Sequence, residues 1–479
     1  MGETLKQKTA RNLFWGAMNN GTTQVLNIII GIFLGRLLSP EDYGIVGVLT
    51  IFTVIAGNLQ SSGFTQGLIN LKNPTPRDYN SVFWFNILAS FSIYAVLFLS
   101  APLIAWFFHE PRLVLVSRVV FLSFVISSFG IAHNAYMLKN MMNREIAIAS
   151  VIALICSGTV GIVLALKGYA YWSLAWQQIV YITVLNIGRY CSVKWHPSLK
   201  IDFQPVKEMF GFSVKILITN ILNTLSQQVL TFIFGRLFPI AHVGNYTQAN
   251  KWNTQAHSFV SGTLSQVAQP LMVSIQGDKE REVRIFRKMI RFTAFLAFPV
   301  MFGLALVARE FIILTITDKW IDSVPLMQVL CLAGAFLPFY TLYQNLAVSS
   351  GRSDIYLWVN IAQIITQIVL VLALASMGMK TVVIGYAVMV ILWLFVWQYF
   401  AHRLIGIRLL DVAKDMLPLL FIAAAAMLIT GWVTTGIENL WILLPLRIVM
   451  AALLYALGVK LLAPEMLNEC IDFAKNRTA

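Results

Sequence analysis

Apolar residues run along this chain in blocks of about 20 or more, the length an α-helix needs to cross the hydrocarbon core of a bilayer. Such blocks fall at 12–34, 43–69, 80–108, 112–138, 146–166 and 170–193. After a polar break they resume at 210–238, 243–275, 291–317, 323–349, 355–376 and 380–402, and a last pair falls at 414–435 and 440–463. The pattern predicts an all-α integral membrane protein with about 14 transmembrane helices.

The polar stretch at 194–209 divides two similar halves. Gly35-Arg36-Leu37 with Gly44 returns 200 positions later as Gly235-Arg236-Leu237 with Gly244, Asn20 matches Asn220, and Asn27 meets Gln227. The expected plan is two six-helix bundles in parallel pseudo-repeat. It assigns 1–193 to an N-terminal bundle, 194–209 to a cytoplasmic linker and 210–403 to a C-terminal bundle. Residues 404–463 hold two additional helices and 464–479 a cytoplasmic tail.

Composition supports a lipid solvent, with 58% hydrophobic and 12% charged residues against about 25% charged in ordinary soluble domains. The net charge of +14 does not point to nucleic acid, because the basic residues punctuate the apolar runs and build no basic domain. Counted loop by loop they favour one face by roughly three to one, which places both termini in the cytoplasm. The inside set includes Lys6, Lys8, Arg11, Lys139, Arg144, Arg189 and the run from Lys279 to Arg291. Loops on both faces are short, and the longer polar stretches lie near 194–209 and 276–290.

Polar residues inside spans are costly and usually face a bundle interior or a wet cavity. On the first helix Asn20, Gln24 and Asn27 follow i, i+4, i+7 and share one face; Asn220, Asn223 and Gln227 do the same in the repeat. The second helix gathers Asn58, Gln60, Ser61, Ser62 and Gln66. The eighth carries a stripe of Gln248, Lys251, Gln255, Ser258 and Gly262. Amides of this kind also act simply as glue between helices, at about 0.6 kcal/mol per contact. Matching stripes in both halves favour a shared hydrated cavity.

In-span cations are Arg118, Lys215, Lys251 and Arg447. Snorkelling accounts for Arg447, whereas Lys215 and Lys251 share helices with polar stripes and are read as cavity cations. Glu310 and Asp318 fall near an outer interface, so no deep carboxylate relay is expected. There is no phosphate loop, no H-E-x-x-H, no G-x-S-x-G, and the scattered Cys156, Cys191, Cys331 and Cys470 have no metal-ligand spacing. No metal or cofactor is expected, and the identity of any coupling ion stays open. A cationic, amide-lined cavity suits an anionic or sugar-rich substrate.

Several segments resemble the Wzx-type flippases, the polysaccharide-transporter branch of the multidrug/oligosaccharidyl-lipid/polysaccharide superfamily. They are the run from Gly35 to Gly44 (Gly35-Arg36-Leu37-Leu38-Ser39-Pro40-Glu41-Asp42-Tyr43-Gly44), Gly63-Phe64 and Trp195-His196-Pro197. Phe234-Gly235-Arg236-Leu237 with Gly244-Asn245-Tyr246, Asp318-Lys319-Trp320 and Ser350-Gly351-Arg352 complete the set. Ser39-Pro40-Glu41-Asp42 reads as a capped helix start, and Gly35 and Gly44 as the freedom for a tight re-entry.

The resemblance implies a V-shaped pair of bundles in a bacterial cytoplasmic membrane. It implies alternating-access transfer of undecaprenyl-pyrophosphate-linked oligosaccharide to the outer leaflet, for surface polysaccharide or lipopolysaccharide. Implied partners are that lipid-linked oligosaccharide, membrane lipids and other polysaccharide-assembly proteins. Lys215 and Lys251 are then expected on the anionic group and Arg36 and Arg236 at the outer mouth. Asn20, Gln24, Asn27, Asn220, Asn223, Gln227 and Gln255 are expected on glycan hydroxyls. Trp15 stands where Lys215 sits in the repeat and Ile51 opposite Lys251, so the first half offers the pyrophosphate little charge. A cation-coupled drug antiporter of the same superfamily and a membrane-embedded glycan polymerase or ligase stay open as alternatives.

Overall fold

The computed structural model describes residues 5–274, 277–466 and 469, and the regular elements among them are all helical. The helices are α1 (Leu5–Leu37), α2 (Pro40–Asn70), α3 (Pro76–Phe108), α4 (Leu113–Lys139), α5 (Asn143–Leu166), α6 (Trp172–Ser192), α7 (Gln204–Leu237) and α8 (Ile240–Ser274). They continue as α9 (Lys279–Leu306), α10 (Ala308–Ile316), α11 (Ser323–Gly334), α12 (Leu337–Ser349), α13 (Ser353–Leu374), α14 (Met379–Ile405), α15 (Leu409–Val433) and α16 (Leu440–Leu462). With α9 joined to α10 and α11 to α12 across their short breaks, the rods are consistent with the expected count. Among the described residues ten spans are long and apolar enough to cross a membrane by length and composition. α1, α6, α7 and α8 are not among them, α7 contributing the shorter apolar segment Gln228–Leu237, and each of the four carries in-span amides that dilute its apolar character.

Contacts divide the chain after Gly244. In the first unit α5 packs on α1 and α6, α4 on α2, α3 and α6, and α7 on α2 and α3. In the second, α9 packs on α11 and α15, α15 on α16, and α14 on α11, α12 and α13. The division at 194–209 describes the sequence repeat and the one after Gly244 describes packing; α7 belongs by sequence to the second repeat and by contact to the first unit.

The entry to α2 forms as its sequence demands. Asp42 Oδ2 accepts from Ser39 N (2.8 Å) and Oγ (2.7 Å), with Pro40 in the first turn. Asp78 does the same for Thr75 ahead of Pro76 at α3 (2.7 and 2.8 Å). Gly44 serves a different purpose from the expected turn, since neither it nor Gly35 has positive φ. A Cβ on Gly44 would lie 2.0 Å from Ile240 O, and one on Gly244 would lie 1.7 Å from Pro40 O. The first turns of α2 and α8 therefore touch backbone to backbone, reciprocally, at positions 200 apart in the repeat (240 against 40, 244 against 44).

Two polar stretches expected as loops are ordered. The segment after Trp195 is stapled to α3: Asn80 donates to Lys200 O (2.5 Å) and accepts from Ser198 N (2.9 Å), and Trp84 Nε1 donates to Ser198 O (2.7 Å). Asp202 meets Arg77 at 2.5 Å, and the Gln204 N–H together with this guanidinium holds its carboxyl below the ordinary range. The basic run at 279–290 is the start of α9, capped by Asp278 Oδ1 accepting from Arg281 N (3.1 Å). Its charges share the helix with buried Phe286, Met289 and Ile290, an amphipathic pattern that an apolar-run criterion passes over.

Candidate functional site

α1 is held on α5 by one face: Asn12 O accepts from Asn143 Nδ2 (3.0 Å), and Ile30 packs where a Cβ on Gly158 would come within 2.5 Å. At 100° per residue the remainder of the helix presents two further faces. Phe14, Met18, Val25, Ile29 and Phe33 form an exposed apolar stripe, suited to lipid. Asn20, Gln24 and Asn27 form an exposed polar stripe on the side away from it. One helix thus offers both solvents a matching surface, the arrangement expected at the wall of a hydrated path.

The repeat's equivalents lie on α7, where Lys215, Asn220, Asn223 and Gln227 have side chains outside the described residues. α7 itself is tied to α2 by Asn58 Nδ2 donating to Thr224 Oγ1 (2.5 Å) and by Phe232, whose ring packs against Phe52, Phe107 and Phe108. On α8 the stripe grades from interior to open: Gln248 is fully buried, Lys251 and Gln255 are half-buried, and Ser258 and Gly262 are exposed. The Lys251 ammonium lies 5.6 Å from the Trp252 ring centroid, and Trp252 in turn meets Phe311 edge to face at 4.9 Å.

Arg36 and Arg236 are both exposed, at the ends of α1 and α7. Arg236 Nη1 lies 3.0 Å from His109 Nε2, with its guanidinium 5.4 Å from the Phe107 ring centroid. Nearby in the chain, Arg112 bridges Glu41 (2.8 Å) and Glu110 (2.7 Å), which gives Glu41 of the signature segment an anchor on the α3–α4 loop. Hydrogen bonds from Arg112 hold the Glu110 carboxyl below its ordinary range.

Three features escaped the sequence. Arg447 reaches toward the helix ends and finds partners there: its Nη1 meets Glu310, in the first turn of α10, at 2.8 Å and its Nε donates to Thr434 Oγ1, just past the end of α15, at 2.9 Å. Glu310 is 3% exposed, a carboxylate buried inside the protein at the start of α10. A second one is Asp415, 2% exposed on α15, which accepts from Arg287 Nε (2.6 Å) and Nη2 (3.0 Å) with Arg291 at 3.7 Å. Through these pairs and Tyr455 Oη donating to Phe295 O (3.0 Å), α15 and α16 are pinned to α9 and α10. The third is a pocket of about 340 Å³ between α2, α4 and α6, with Arg189 in its wall. The signals were present as Gln178, Asn186 and Arg189 on α6, but their distribution along one helix does not reveal which neighbour they face, and the adjacent Gln177 packs instead against Gly161 of α5.

Comparison with known proteins fits this picture. The teichuronic acid biosynthesis protein TuaB of Bacillus subtilis is 22% identical over 431 residues, 89% of each chain. The succinoglycan biosynthesis transport protein ExoT of Rhizobium meliloti is 24% identical over 359 residues, 75% of this chain and 73% of that one. Among solved structures, the lipid II flippase MurJ in an inward closed conformation shares the fold with a TM-score of 0.77 over 94% of this chain and 99% of that one, at 11% identity. Residues 33–325, well over half of the sequence, match the family described as "Polysaccharide biosynthesis protein", and the chain belongs to that family.

Proposed function

We propose that this protein is a flippase that carries a lipid-linked oligosaccharide from the inner to the outer leaflet of the cytoplasmic membrane, with both termini in the cytoplasm. The observation that carries the reading is the two-solvent character of α1, a helix exposed with an apolar stripe along one side and Asn20, Gln24 and Asn27 along another. A lipid-linked glycan needs both surfaces together: the polyprenyl tail stays in the bilayer while sugar hydroxyls exchange water for amides. Lys251 and Gln255, half-buried on α8, are assigned to the anionic linkage and the glycan, with Lys215, Asn220, Asn223 and Gln227 of α7 in the matching roles. Arg36 and Arg236 guard the outer mouth. Membership in a polysaccharide biosynthesis family and the names of the relatives support a surface polysaccharide as the end product. Transfer proceeds by alternating access, in concert with the enzymes that build and polymerise the glycan.

The test is deletion in a strain whose surface polysaccharide depends on the protein, followed by assay of the lipid-linked oligosaccharide in each leaflet. Accumulation on the cytoplasmic face with loss of surface polymer is expected, restored by the wild-type chain. An unchanged leaflet distribution together with new sensitivity to cationic drugs would overturn the reading in favour of an antiporter.

A further inference from the structure

Several cations carried on the helices, within spans or near their cytoplasmic ends, have a partner that offsets the cost of removing them from water. Arg287 and Arg291 have Asp415, Arg447 has Glu310, and Arg118 lies 4.3 Å above the Phe98 ring centroid. Lys139 donates to Ile69 O (2.7 Å) and Leu71 O (2.5 Å) at the end of α2. Arg189 differs. Its recorded hydrogen bond is Nη1 to Asn186 Oδ1 at 3.5 Å, the outer limit for such a bond. No ion pair to a carboxylate is recorded for it among the described residues.

Snorkelling does not account for this side chain. Arg189 lies three residues before the end of α6, within reach of the helix terminus. The guanidinium instead turns back along the helix toward Asn186, one turn deeper, and toward α4. A Cβ on Gly130 would lie 1.8 Å from Asn186 Oδ1 and 3.2 Å from Arg189 Nη1, so Gly130 keeps open the space these two groups occupy. Asn186 is fixed there by Nδ2 donating to Ile126 O (2.5 Å).

The space that Arg189 borders is the 340 Å³ pocket, within the range of about 300–1,000 Å³ typical of small-molecule sites. Its wall holds Ser123, Ser127 and Asn134 of α4 and Gln178 and Asn186 of α6, and none of the lining residues is acidic. Ser123 is 1% exposed and its Oγ has no hydrogen-bond partner among the described residues, an unspent buried donor at the edge of a cavity. A lone guanidinium with its planar fork of donors, supported by hydroxyls and amides and opposed by no carboxylate, is chemistry for an oxyanion.

We propose that this pocket inside the first unit is an oxyanion site that takes a phosphoryl group on Arg189, with Ser123 as a supporting donor. It supplies the first half with a cation that offsets Trp15 and Ile51 standing where the repeat has Lys215 and Lys251. The site stands on its own geometry; assigning its phosphoryl group to the pyrophosphate of the transported lipid rests on the flippase reading, and a free phosphate or a phospholipid headgroup presents the same chemistry.

The experiment uses the full-length protein in phosphatidylcholine nanodiscs with radiolabelled inorganic pyrophosphate as probe. Saturable binding to the wild type is expected, weakened about tenfold by Arg189→Gln and less by Arg189→Lys, which keeps the charge and loses the fork. The probe-free melting temperature of Arg189→Gln should stay close to that of the wild type. Absence of saturable binding, or equal binding by Arg189→Gln, overturns the proposal. Should Arg189→Gln fail to fold, Ser123→Ala replaces it, with about threefold weaker binding expected and unchanged binding counting against the site. Displacement of the probe by a polyprenyl pyrophosphate assigns the site to the transported lipid. Displacement only in phosphatidylglycerol nanodiscs assigns it to a headgroup, and displacement by neither assigns it to free anion. If the wild type binds the probe through Arg189 yet does not restore surface polymer in the deletion strain, the flippase reading falls and the site remains.

Discussion

The two packing units treat the same problem, an arginine inside a helical bundle, in opposite ways. In the second unit Arg287 and Arg447 each meet a carboxylate, Asp415 and Glu310, buried to 2% and 3% exposure. One member of each pair comes from the appended helices α15 and α16, so the charges act as staples between elements. In the first unit Arg189 borders a pocket with no acid in its wall. The contrast teaches that a cation within a bundle is defined by what stands opposite it: those facing a carboxylate hold structure together, and the one that faces none among the described residues is available to a ligand.

The comparison can be broken by stability measurements on single variants. Asp415→Ala should have the largest effect, because it strands Arg287 and Arg291 without their carboxylate. Loss of a buried partner costs about 3–5 kcal/mol, and the low end applies here since the Arg287 side chain keeps 31% exposure. Thermal unfolding in detergent measures it. Glu310→Gln should cost about 2 kcal/mol, and Arg447→Gln with Glu310→Gln together should cost less than the sum of the two alone. Additive losses would mean that the pair is not coupled.

A solvent-facing pair provides the reference. Glu110 has its carboxyl lowered by Arg112, so the stabilisation it contributes is present at neutral pH and fades as pH falls through the carboxylate range. Glu110→Gln should therefore cost about 0.5 kcal/mol at pH 7 and progressively less as pH falls through the lowered carboxylate range, read as converging melting temperatures of variant and wild type. Smallest of all is Arg189→Gln, expected within about 0.5 kcal/mol of wild type. A loss near 2 kcal/mol would give Arg189 a structural role like that of Arg447 and erase the contrast.

Much of the helical plan was legible in the sequence because a membrane span announces itself by length and apolarity alone. The Ser39 to Asp42 start of α2 was legible for a similar reason, since capping is local. Pairing is not local. Glu310 and Arg447 stand 137 positions apart, and each taken singly reads as an interfacial residue. Arg189, near a helix end, counted as one more inside charge, and the turn of its side chain toward Gly130 depends on α4 packing against α6. The amide stripe of α1 was readable from its period, whereas its solvent had to come from which face α5 covers.

The contact between Gly44 and Gly244 carries a consequence of another kind. Each glycine rests against a carbonyl in the other helix's first turn, Ile240 for one and Pro40 for the other, at matching places in the repeat. Elsewhere the two copies can diverge independently, as Ser39 and Pro239 or Asp42 and His242 have done. Here each helix is the other's mould: a side chain gained at either glycine meets a backbone carbonyl that cannot be trimmed, so both positions are closed to any larger residue by the same contact.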